Sequence, residues 1–195
     1  MFEKFTSEDD RGQVGIGTLI IFIALVLVAA VAAGVLVQTS GLLQAQAENT
    51  GQDAQSEVGN QISVVSATGT VNDGAVDQVD LVVKKSAGSD PLDLSDATIE
   101  YTSDTATQTL TQGSAGSDAF GTSSVGSGSD TVMSDNGDRI TVTIDTSNIE
   151  GDGTAGSGLA AGEEATLRIV DQSGATTIYG VNVPDSLGGR DYVTV

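Results

Sequence analysis

Residues 14–37 are twenty-four consecutive positions without a charge, and Thr18 is the one polar side chain among them. As a helix rising ~1.5 Å per residue the run extends ~36 Å, enough to cross the ~30 Å hydrocarbon core of a bilayer. Burial inside a soluble core would need far more protein around it than 195 residues supply. The chain therefore meets a membrane at least once. Arg11 stands at the edge of the run with Lys4 behind it, which favours a cytoplasmic N-terminus and export of the 158 residues after Val37. Glu3, Glu8, Asp9 and Asp10 dilute the basic signal but count little in that rule.

Two ordinary roles compete for such a segment. Ala30-Val31-Ala32 imitates the small-x-small site that ends a cleaved signal peptide. Length opposes that reading, because a signal-peptide core has about 7–15 apolar residues and here the apolar run continues through Val35-Leu36-Val37. A permanent single-span anchor fits the length and the lack of charge equally well.

The text of the junction points further. Arg11-Gly12-Gln13-Val14-Gly15-Ile16-Gly17-Thr18-Leu19-Ile20-Ile21-Phe22-Ile23-Ala24, continuing to Ala29-Ala30-Val31-Ala32-Ala33-Gly34-Val35-Leu36, closely resembles the N-terminus of archaellins, the archaeal flagellins, and of haloarchaeal ones in particular. Gly174-Ala175-Thr176-Thr177-Ile178-Tyr179-Gly180-Val181-Asn182-Val183-Pro184 resembles the end of haloarchaeal archaellins, whereas the region between is family-like only in composition. The resemblance implies that a membrane prepilin-type signal peptidase cuts between Gly12 and Gln13, removing residues 1–12 as a leader and keeping the apolar helix on a mature chain of 183 residues. Bacterial type IV pilins carry a glutamate five residues into the mature chain. Counted from Gln13 the fifth residue here is Gly17, which fits an archaellin better.

Seven basic against twenty-seven acidic residues give a net charge of −20, or −18 without residues 1–12. Phosphate neutralisation needs clustered Lys and Arg, so nucleic acid is excluded as a partner. A surface this acidic repels itself in dilute buffer, whereas in molar salt the Debye length falls to ~3 Å and the repulsion is screened. The composition suits a saline environment. His and Cys are absent, which removes the usual zinc, copper and haem sites, Ser-His-Asp triads and thiol nucleophiles. The expectation is a non-enzyme without a cofactor. Asp90, Asp93 and Asp96 recur at spacings of three, and Asp135 and Asp138 flank a turn, but no stretch fits a calcium-binding loop and no metal site is assigned. No Asn-x-Ser/Thr sequon occurs.

Beyond Val37 a thin apolar stripe, Leu43, Ala47, Ala54, Val58 and Ile62, carries the helical pattern on, and no proline interrupts the chain before Pro91. The helix is expected over residues 13–60. From residue 61 the pattern changes to period two with β-branched residues, giving candidate strands at 62–68, 76–84, 98–102, 105–110, 139–145, 164–171, 176–183 and 191–195. Asn72-Asp73-Gly74, Asn136-Gly137-Asp138 and Gly151-Asp152-Gly153 supply turns. The fold class expected is α+β: a long N-terminal apolar helix followed by an all-β immunoglobulin-like sandwich over 61–195, largely antiparallel. The Gly/Ser/Ala-rich stretches 112–130 and 150–162 are expected to be exposed loops that bury no core.

Gly15-Ile16-Gly17 lacks the preceding strand and following lysine of a nucleotide-binding turn. Small residues at Gly15, Gly17, Ala29, Ala30, Ala32, Ala33 and Gly34 instead suit close helix packing. Processing is assigned to Gly12 and Gln13, and the assembly helix to Gly15, Gly17, Phe22, Val28, Ala32 and Gly34. The resemblance implies an extracellular archaellum filament subunit for swimming. Its expected partners are itself and other archaellins in a helical polymer, the membrane in precursor form, the signal peptidase, and the archaellum membrane platform with its ATP-driven motor. An adhesive type IV-like pilus subunit and a monomeric membrane-anchored surface binding protein are the alternatives.

The charge generates the first prediction. Fibres moved from molar salt to dilute buffer loosen or dissolve, because the Debye length grows from about 3 Å at 1 M to about 30 Å at 0.01 M and each subunit then feels several like-charged neighbours. Light scattering across a monovalent salt series reads this, and equal stability at both ends would refute the argument.

Overall fold

The computed structural model describes residues 6–195, with side chains from residue 12 onward, so the first five residues of the expected leader lie outside the described part. Helix α1 spans Thr6–Gly59. It is unbroken because no proline falls within it. Three of its threonines turn their hydroxyls back onto the preceding turn: Thr18 onto the Gly15 carbonyl at 2.9 Å, Thr39 onto Val35 at 2.8 Å and Thr50 onto Gln46 at 2.9 Å. By packing the chain divides into two units, the helix up to Gln52 and residues 53–195.

The second unit is β throughout except for short turns of helix. Its strands are β1 Ile62–Asn72, β2 Ala75–Lys85, β3 Leu92–Asp93, β4 Thr98–Ser103, β5 Thr107–Gln112, β6 Ala119–Ser124, β7 Val132–Met133, β8 Ile140–Asp145, β9 Leu159–Ala160, β10 Glu164–Val170, β11 Thr176–Asn182 and β12 Tyr192–Thr194. The main path runs β11-β10-β4-β5-β6-β8-β2-β1-β12, with β9 beside β2, while β3 and β7 form a separate pair. The path curls so that its ends approach: Tyr179 of β11 donates to the Val195 carbonyl at 3.0 Å, and Thr177 to that of Ile62 at 2.9 Å. One core fills the interior, with Val79, Leu81 and Val83 from β2, Ile140, Val142 and Ile144 from β8, and Leu167 and Ile169 from β10. The fold class read from the sequence holds, a long helix followed by a β-sandwich.

Local rules account for most of this. Asp73 at φ 45° and Gly74 at φ 88° make the two-residue turn between β1 and β2, where only residues tolerant of positive φ fit. The alternation read over 140–145 places Ile140, Val142 and Ile144 inside. Asp93 and Asp138 spend their carboxylates on backbone N–H groups of their own turns, at 2.9 Å to Ser95 and at 2.9 and 2.8 Å to Ser134 and Asp135. Each carboxylate thereby stabilises its own turn.

Both low-complexity stretches depart from expectation. Residues 112–130 contain β6, whose Phe120 is fully buried, and 150–162 contain β9, whose Leu159 is buried against β2. Single apolar residues in a Gly/Ser background carry no periodicity, which is why composition mislabelled them. The second stretch is tied down by Asp77, itself buried, which accepts from the backbone N–H groups of Gly156 at 3.0 Å and Gly158 at 3.2 Å. A Cβ on Gly158 would strike the Val76 carbonyl, so β9 can lie on β2 only with glycine there. Helix α2, Thr146–Glu150, was also unanticipated; Asp145 caps it by accepting from the Asn148 N–H at 3.1 Å. Glu150 then accepts a 2.5 Å bond from the buried Tyr101 phenol and another from Thr105. Burial first, then that bond to Glu150, pushes the phenol far above its ordinary range, so it remains a donor.

Pairing is antiparallel except for β5 and β6, which run parallel over two residue pairs, Thr111↔Ala119 and Gln112↔Phe120. Six residues separate these strands, too few for a crossover connection, and the pair overlaps only at its ends. It is a corner where the chain leaves the β4–β5 side of the path and joins β8.

At the end of α1 the backbone is closed by side chains. Ser89 donates from Oγ to the Gly59 carbonyl at 3.0 Å, Asn60 accepts from the Asp90 N–H at 2.9 Å, and the buried Lys85 ammonium donates to the Ser89 carbonyl at 2.9 Å. A cation near a helix C-terminus complements its dipole.

Phe120→Ala should cost about 3–5 kcal/mol of stability, as for other buried aromatic truncations. Several polar residues inserted after Ser127 should cost little, since closure entropy grows by only ~0.6 kcal/mol per doubling of loop length. Chemical denaturation of the two variants compares them; equal loss would mean that Phe120 is not core.

Candidate assembly helix

The fifteen large apolar side chains between Val14 and Val37 are each 50–74% exposed. They surround the helix rather than forming a stripe, and an all-round apolar helix belongs in a membrane or inside a larger assembly. Full burial of a Val, Leu, Ile or Phe side chain is favourable by about 1.5–3 kcal/mol, so covering what is exposed would contribute roughly 15–25 kcal/mol. That exceeds the ~5–15 kcal/mol by which a whole domain is ordinarily stable, so water is not the medium of this helix. Thr18 does not disturb this balance, because Gly15 already accepts its hydroxyl.

The residues assigned from sequence all lie on α1. At ~100° per residue Gly15, Gly17, Phe22, Val28, Ala32 and Gly34 are distributed around the circumference and do not form one face. Ala29, Ala30, Ala33 and Gly34 do share a face, as two interleaved pairs of small residues four apart. At Gly12, Gly15, Gly17 and Gly34 nothing beyond the adjacent residues and the helix's own backbone lies within 4 Å of the place a Cβ would occupy. Each glycine costs about 1 kcal/mol against alanine in a helix, so nothing within the described residues explains them. Close approach of another apolar helix would.

The comparisons with known proteins agree with this reading. The family model described as archaeal-type flagellin matches residues 12–181. The chain belongs to the archaeal-type flagellins. Flagellin A2 of Halobacterium salinarum is 44% identical over 99% of both chains, and Flagellin A2 of Haloferax volcanii is 44% identical over 97% of this chain and 96% of its own length. The structure of the archaeal flagellum of Methanospirillum hungatei matches with a TM-score of 0.69 at 22% identity, over 90% of this chain and 96% of the other, which establishes a shared fold. The family is structural, so this flagellin is no enzyme.

Val28→Asp should abolish fibres while leaving residues 61–195 folded. A carboxylate at the bilayer centre costs about 2.5–3.5 kcal/mol on insertion scales, and between packed helices it would be buried without a partner. Electron microscopy of cell-surface preparations checks this, and normal fibres would mean that the middle of α1 is not buried in the polymer.

Proposed function

We propose that this archaeal-type flagellin is a structural subunit of an archaellum filament that supports swimming, polymerising through α1 alone or with other archaellins. The observation that carries the reading is an apolar helix exposed on all sides, with glycines that no part of the described chain requires. In the precursor, lipid covers the helix; in the filament, copies of the helix cover one another. Lipid and leucine are equally apolar, so this exchange gains little from the hydrophobic effect and depends on close van der Waals packing, for which small residues are suited. Contacts of a head-to-tail kind that do not close on themselves produce a helical fibre, and the acidic β units form its outer surface.

Maturation by a prepilin-type signal peptidase between Gly12 and Gln13 releases the leader, and the cationic Arg11 goes with it. The remaining run from Gln13 to Ala47 is uncharged and enters a dry core without a buried ion. The membrane platform assembles the subunits, and an ATP-driven motor turns the fibre.

The mature protein should begin at Gln13, and Gly12→Phe should leave the precursor in the membrane. Mass spectrometry of sheared surface fibres reads the terminus. A first residue at Ala33 would mean that α1 is lost on export and would overturn the assembly reading.

A further inference from the structure

Residues 61–195 carry twenty acidic and five basic side chains, yet the charge is unevenly spread. Residues 58–72, containing β1, and 172–184, containing β11, are uncharged over fifteen and thirteen positions. The fold brings these two segments together. Between them runs a groove of about 280 Å³, formed in part by Gln61, Ile62, Val64, Thr177, Ile178 and Tyr179, and every residue lining it is uncharged. Across β1, Lys84 pairs with Ser63, while the Lys85 ammonium is buried and donates to the Ser89 carbonyl. The groove is thus uncharged in a unit of net charge −15.

Two further features set it apart. Ile178 is 68% exposed on its rim. Strand β11 ends the sheet path, bonded along one side to β10, and its seven residues include no charge and no proline, with an unbroken register to β10. Thr177 and Tyr179 bridge from this edge to the other end of the path, but β11 carries none of the Lys, Pro or bulges with which soluble proteins ordinarily guard an edge against a further protein segment.

We propose that the β1–β11 groove is the surface on which the β unit of a second copy of this chain docks. The inference rests on the filament reading above. The occupant follows from charge: a copy carrying −15 on its own β unit is repelled by the acidic residues of this one, and a lining without a carboxylate, with Lys84 on the neighbouring strand, offers it a contact free of that repulsion. A short uncharged contact tolerates an acidic neighbour, and Ile178 loses water when the neighbour arrives.

Because the chain has no cysteine, single thiols report the contact cleanly. The full-length Ile178→Cys variant and a control, Ala155→Cys on the exposed loop before β9, are exposed to a maleimide as detergent-solubilised subunits and as fibres. The expected result is that both label as free subunits, while in fibres Ile178→Cys loses its labelling and Ala155→Cys keeps it. Equal labelling of both in intact fibres overturns the groove and leaves the filament reading standing. Absence of fibres from the unaltered chain overturns both. Ile178→Glu supplies an independent readout. Its thermal unfolding as a free subunit should match that of the unaltered chain, but its fibres should need more salt to persist. An unchanged salt midpoint also rejects the proposal.

Discussion

Everything in this chain is arranged around an apolar helix that its own residues leave uncovered. The free energy of covering α1, roughly 15–25 kcal/mol by the burial of its fifteen exposed large side chains, is larger than the stability of a typical domain. The β unit has a core of its own. In an archaellum filament other subunits can supply that cover, and the small residues along the helix suit close packing.

The acidic surface opposes that assembly. Like charges held side by side in a polymer cannot move apart, and only salt or local gaps in the charge relieve them. Most of the acidic residues lie on the β unit, while the run from Gly12 to Ala47 contains none. Attraction and repulsion are thus separated along the chain, with the helix supplying the cohesive part. The same separation recurs on a smaller scale within the β unit, where β1 and β11 leave a neutral groove in an otherwise acidic surface.

Where the helix ends, Ser89 holds the Gly59 carbonyl, and Lys85 and Asn60 fix the loop at Ser89 and Asp90 that presents it. The side-chain closure lies within the second unit, which begins at Asp53, so the final turns of α1 belong by packing with the sandwich. Asp77 performs a comparable task for the glycine-rich loop before β9. Buried polar groups in this protein tie irregular backbone to the sheet, and none of these roles calls for catalysis.

The sequence by itself determined the helix, because an uncharged run of this length has few physical solutions, and it determined the strands whose alternation is unbroken, such as 140–145 and 164–170. The turn at Asp73-Gly74 was equally legible, since the requirement for positive φ is local. What only the tertiary structure decided depends on distant partners. Phe120 and Leu159 stand alone among Gly and Ser, and they became core because β8 and β2 lie beside them. Asp77 and Gly158 became structural through contacts some eighty residues apart. The groove between β1 and β11 joins segments separated by more than a hundred residues, and its neutrality emerges only when the sheet curls its two ends together. Periodicity and charge are properties of neighbours in sequence; burial and docking surfaces are properties of neighbours in space.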